Sequence, residues 1–123
     1  MNERTRDVLD RTFRFGVQSI RFTQNFPQNG AGWTLTKQII RSATSIGANF
    51  REAQYARSRA EFISKIHVAL QEASESLYWL ETIKASGIGD PEMVEILITE
   101  ADQLLSILVA IAKTTKRNVN RAN

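Results

Sequence analysis

No cysteine occurs anywhere in the 123 residues, so no disulfide framework, thiolate nucleophile or cysteine-ligated metal is available. Histidine is nearly absent too. His67 stands alone without a Glu-x-x-His pair, which excludes the carboxylate-bridged di-iron pattern of ferritin-like bundles. No apolar run approaches the roughly 18–20 residues of a membrane span. The charged opening MNERTRDVLD lacks the apolar centre of a secretory signal. A soluble, cytoplasmic chain that does not engage a membrane is expected. Walker loops, Cys/His clusters and serine-nucleophile motifs are missing as well, and GIGD at 87–90 is half of a dinucleotide-binding fingerprint that follows a helix rather than a strand. These gaps lead to the expectation of a non-enzyme with no catalytic residue, no metal and no cofactor.

Helix breakers are scarce, with two prolines and six glycines, and they fall in three clusters that separate four periodic segments. Helices are expected at about 4–25, 34–55, 59–86 and 91–116, followed by a basic tail at 117–123. NFPQNGAG ends the first. SRAE opens the third as a capping box, with Ser58 as N-cap and Glu61 reaching back. Gly87 suits the left-handed position past its end. Asp90 and Pro91 suit the start of the fourth. No strand pattern of any length appears, so the fold class is all-α: one domain, an antiparallel up-down four-helix bundle.

At about 100° per residue, each helix shows a core stripe. The third collects Phe62, Ile66, Ala69, Leu70, Ala73, Leu77 and Leu80, and the fourth Met93, Leu97, Leu104, Leu108 and Ile111. The second places Leu35, Ile39, Ala43, Ile46, Phe50 and Ala53 inward. Beside that stripe runs another of small polar residues, Gln38, Ser42, Ser45, Asn49 and Glu52, spaced four, three, four and three apart. Such a row lets a second helix approach closely, so it reads as a helix or subunit contact; a ligand or nucleic-acid surface is the alternative. The first helix is apolar on two edges, Val8, Phe15, Phe22 and Phe26 on one and Leu9, Phe13 and Ile20 on the other, with Thr12, Gly16 and Thr23 between. That arc is wider than one neighbour covers, which points to an additional partner.

Charge is unevenly spread. Residues 1–65 hold 11 Lys and Arg against 5 Asp and Glu, residues 66–112 hold 1 against 8, and residues 113–123 hold 4 against none. Arg4, Arg11, Arg14 and Arg21 share one arc of the first helix. A basic first half and tail suit a phosphate-binding surface. Complementarity between the basic half of one subunit and the acidic half of the next would explain the same asymmetry, as would a solvated face. Antiparallel pairing of the second and third helices brings Arg41 level with Glu72 and Glu75, so a structural ion pair is expected there whose loss destabilises the fold.

LTKQIIRSATSIGANFREA resembles the second-helix signature of the bacterial four helix bundle protein family, the 23S rRNA intervening-sequence proteins, through Leu35, Gln38, Arg41, Ser42, Ala43, Ser45, Ile46, Asn49 and Glu52. EFISKIHVALQEASESLYWLE and EADQLLSILVAIAKTTK are similar to its third and fourth helices, so the likeness runs from Arg11 to Lys116. Phe50, Arg51 and Ala53 depart from the usual Ile, Ala and Gly, and Arg51 adds a positive charge. The resemblance implies a ring-like homopentamer. Through a distant relative, the accessory variability protein of diversity-generating retroelements, it further implies nucleic acid and a reverse transcriptase or other protein as partners. A non-catalytic scaffold that binds RNA or DNA through phosphates is the expectation, with Arg11, Arg14, Arg21, Arg51, Lys113, Lys116 and Arg117 as its contacts. The alternative is a protein-interaction adaptor using exposed apolar residues or Trp33, whose charge asymmetry serves only ring assembly.

Overall fold

Sequence punctuation decides where the chain turns. In the structure of the chain, a computed structural model that describes residues 1–122 and side chains through Asn118, four helices follow one another: α1 Glu3–Thr23, α2 Gly30–Ala53, α3 Arg59–Ser86 and α4 Pro91–Ala122. The side chains at the end of the basic tail, Arg121 included, lie outside the described residues. Asn2 caps α1 by accepting the Thr5 N–H at 2.8 Å. Ser58 caps α3 through the Glu61 N–H at 3.1 Å, while the Glu61 carboxylate accepts the Arg57 N–H at 3.4 Å. Asp90 accepts the Glu92 N–H at 2.9 Å ahead of α4, and Gly87 closes α3 at φ 71°.

Helix ends differ from the sequence expectation by more than one residue in four places. α1 stops at Thr23 rather than Asn25, and α2 starts at Gly30 rather than Thr34 and ends at Ala53 rather than Tyr55. The early start is possible because Gly32 packs on Pro27, where any Cβ would collide with the proline carbonyl oxygen. α4 continues past Lys116 to Ala122, since no glycine or proline interrupts it after Pro91.

The helices pack in order, α1 on α2, α2 on α3, α3 on α4, with α1 meeting α4 least. Each neighbour pair is antiparallel. Ser42 bonds Ser76 while Glu52 bonds Lys65, so α3 numbers fall as α2 numbers rise. The core is the set of inward stripes, with Phe15, Ile39, Ile46, Ile66, Leu80, Leu97, Leu104 and Leu108 all fully buried. Each such side chain contributes roughly 1.5–3 kcal/mol relative to exposure. Phe62, Leu70, Leu77, Met93 and Ile111 lie at its edge, half-buried. α1 and α2 cross tightly at Gly47, where a Cβ would stand 3.3 Å from the Thr12 backbone.

Candidate nucleic-acid interface

An up-down bundle gathers the first turns of its odd helices and the last turns of its even helices at one end. In this chain Arg4 and Arg6 stand on the first turns of α1, Arg51 on the last turn of α2 and Arg57 in the loop that follows. Arg59 opens α3, and Lys113, Lys116 and Arg117 lie on the closing turns of α4. All eight are exposed and none forms an ion pair among the described residues. Glu3, Asp7, Glu52 and Glu61 share this end, but Glu52 is engaged by Lys65 at 2.9 Å, a hydrogen bond that raises the lysine's pKa. The opposite end sets Arg21, Lys37 and Lys84 against Glu81, Asp90, Glu92 and Glu95, with Lys84 paired to Glu95. The bundle is therefore charge-polarised along its axis, and the field that attracts an anion is strongest where the eight cations converge.

Of the phosphate contacts expected from sequence, Arg51, Lys113, Lys116 and Arg117 come together at this basic end. Arg14 lies mid-way along α1 in an exposed pair with Asp10 at 2.9 Å, and Arg21 sits on the last turn, at the opposite end. Arg11 requires a correction. Its Nε and Nη2 donate to Glu100 at 3.1 and 2.6 Å, and Nη2 also donates to Gln103 at 2.8 Å. The pair is largely shielded, with side-chain exposures of 21% and 25%, and the hydrogen bond to Glu100 holds the guanidinium pKa above its ordinary value. Its donors are committed to tying α1 to α4, so Arg11 leaves the phosphate set. Arg11→Gln is expected to cost about 1–2 kcal/mol of stability and to leave RNA affinity unchanged. Lys113→Gln should do the reverse, and thermal melts beside binding titrations separate the two.

Arg6, Arg57 and Arg59 were not singled out by sequence reasoning. The signal that would have found them is topological: counting charge by bundle end, not along one helix face.

The small polar stripe of α2 faces α3 of the same chain. Ser76 and Ser42 share a hydrogen bond of 2.9 Å between buried hydroxyls, and Glu52 reaches Lys65. Ser45 donates to the Arg41 carbonyl at 2.7 Å and Asn49 to the Ser45 carbonyl at 2.8 Å, while Gln38 is half-buried beside them. Within the stripe, Ser42 and Glu52 contact α3 of the same chain, while Ser45 and Asn49 bond carbonyls of their own helix. Arg41 bonds Glu72 at 3.3 Å and also Glu75, whose carboxylate accepts the Trp79 indole N–H at 3.1 Å. Arg41 is 48% exposed but Glu72 only 18%, so Arg41→Ala strands a shielded carboxylate. We expect a loss of about 1 kcal/mol, read as a lower melting temperature than for an exposed Arg→Ala control such as Arg21→Ala.

The second edge of α1 is uncovered. Phe13 is 57% exposed and Ile20 38%. Together with Leu9, Val17, Gly47 and Ala48 they line a groove of about 440 Å3 between α1 and α2.

The sequence pattern of the 23S rRNA-intervening sequence proteins matches residues 4–110. The chain belongs to that family. Among solved structures it is similar to a protein of unknown function from the S23 ribosomal protein family of Bacteroides thetaiotaomicron VPI-5482. That crystal structure shares 38% identity, covers 86% of this chain and 98% of its own, and superposes with a TM-score of 0.77. None of the curated proteins matches. For this member of the 23S rRNA-intervening sequence family, the basic end includes α4 turns beyond residue 110, outside the matched span. Among the described residues no group of His, Cys, Asp and Glu could hold a metal ion, and no helix is long and apolar enough to cross a membrane.

Proposed function

We propose that the protein is a non-catalytic scaffold that binds nucleic acid through the phosphate backbone at its basic end. The observation that carries this reading is the convergence of eight exposed cations, free of ion pairs among the described residues, at the end where all four helices contribute a terminus. Counterion release from phosphates asks only for such a cluster and needs no base-reading helix. The family's association with the intervening sequence of 23S rRNA favours RNA as the target. A cytoplasmic role as an accessory to an RNA-processing or reverse-transcribing enzyme suits a binder without chemistry of its own.

The scaffold acts as a ring-like homopentamer. The uncovered α1–α2 groove supplies an apolar surface for a neighbour, and the acidic faces of α3 and α4 complement the basic first half. Cyclic symmetry repeats the basic end around one axis, so a single RNA meets several copies and gains avidity. A second reading, a protein-interaction adaptor, is favoured by Trp33, which is 49% exposed beneath the Lys37 ammonium at 5.0 Å from its ring.

Photocrosslinking of the full chain to uridine-analogue RNA separates the readings. Adducts on peptides containing Arg57–Arg59 and Lys113–Arg117 are expected. Adducts confined to the α1–α2 loop and Trp33, at the opposite end, would contradict the assignment.

A further inference from the structure

Beneath the basic end lies a cavity of about 180 Å3 to which all four helices contribute. Its inner wall is apolar and partly aromatic, formed by Phe50, Phe62 and Ile111. Its rim is polar. Gln54 donates its amide N–H to the Phe50 carbonyl at 3.0 Å, which leaves Oε1 as an acceptor. Asn2 uses Oδ1 to accept the Thr5 N–H, which leaves its Nδ2 as a donor. The Thr114 hydroxyl and the exposed Arg4, with no ion pair among the described residues, complete the opening.

Drug-sized and cofactor sites run to roughly 300–1,000 Å3, whereas this cavity suits one planar ring system. An apolar walled slot with one donor and one acceptor at its mouth matches a nucleobase, whose faces are apolar and whose edge carries both groups. Asn2, Gln54 and Arg4 stand at the open rim, placed to meet the polar edge and phosphate of a nucleotide whose base lies inside. We infer that the cavity takes one unpaired nucleotide of a bound RNA, the base inside and its phosphate on Arg4 and the surrounding cations. This rests on the reading of the basic end as a nucleic-acid surface and adds to it a preference for single-stranded over paired segments.

The test titrates the full chain with a blunt RNA duplex, with the same duplex carrying a short single-stranded tail that holds a fluorescent adenine analogue, and with AMP. The tailed RNA should bind roughly tenfold more tightly than the blunt one, the scale of one base stacked on an aromatic wall. The analogue's emission should change on binding. Ala110→Phe places a ring at an exposed position of the cavity wall and should reduce tailed binding to the blunt level while blunt binding stays unchanged. Gln54→Leu removes the acceptor without added bulk and should lower the preference several-fold, so the result does not hang on one variant. Equal affinity for the two duplexes, or a preference that survives both substitutions, overturns the inference, while salt-dependent blunt binding still upholds the basic end. AMP binding that Ala110→Phe abolishes, without any tail preference, assigns the cavity to a free nucleotide and likewise overturns it. No binding to either RNA overturns both readings.

Discussion

Replacing Lys113, Lys116 and Arg117 together by glutamine is expected to weaken RNA binding about a hundredfold near 0.1 M salt and to lower the slope of log affinity against log salt by about 2–3, because each phosphate contact contributes roughly 0.7–0.9 to that slope. The three lie on exposed turns of α4, beyond the last buried residue Ala112, so their removal leaves the core intact. Their loss leaves Arg4, Arg6, Arg51, Arg57 and Arg59 as the cations of the basic end among the residues with described side chains. Replacing Arg21, Lys37 and Lys84 together by glutamine, at the opposite end, removes the same three charges and should shift neither quantity. Equal loss from the two triple substitutions would mean that net charge matters and its placement does not.

If the chain assembles as proposed, Phe13→Asp is expected to convert the ring to monomers without unfolding the chain. Phe13 is more than half exposed in one protomer, so the substitution costs the isolated bundle little. In an assembled ring the same position would be covered, and burying a phenylalanine is worth roughly 1.5–3 kcal/mol per contact. Exchanging it for a carboxylate removes that gain and adds the cost of desolvating a charge at every interface. Light scattering coupled to size exclusion should report a pentamer for the native chain and a monomer for the variant, with unchanged helical circular dichroism. RNA affinity should fall with assembly, since avidity through linked sites contributes factors of about 10²–10⁴. A native chain that elutes as a monomer at micromolar concentration would remove the ring from the account.

The fold was legible because each local signal agreed with the next. Apolar period, capping residues at Ser58 and Asp90, and glycine at 87 agree in marking the helix ends, while the Asn2 cap of α1 emerged only in the structure. The shifted ends have separate causes: Gly32 begins α2 early through its close contact with Pro27, and α4 runs on because no glycine or proline follows Pro91. The site was legible only in part. Arg51, Lys113, Lys116 and Arg117 were visible as charge, but their meeting depends on antiparallel packing. Arg11 looked like its neighbours on α1, and only the fold brings Glu100, from α4, within 2.6 Å of it. Arg41 was readable because a short loop fixes the register of α2 against α3, and so Glu72 and Glu75 could be named.

The measurement that tests the central claim most directly is fluorescence anisotropy of a labelled structured RNA and a matched DNA duplex, titrated with the native chain at about 50 and 200 mM salt, a range over which 6–10 phosphate contacts change affinity by roughly 10³–10⁵. Tight binding at the lower concentration that collapses at the higher, with RNA favoured over DNA, is the expected result. Absence of binding to either at low salt would contradict it and leave the basic end without a nucleic-acid role.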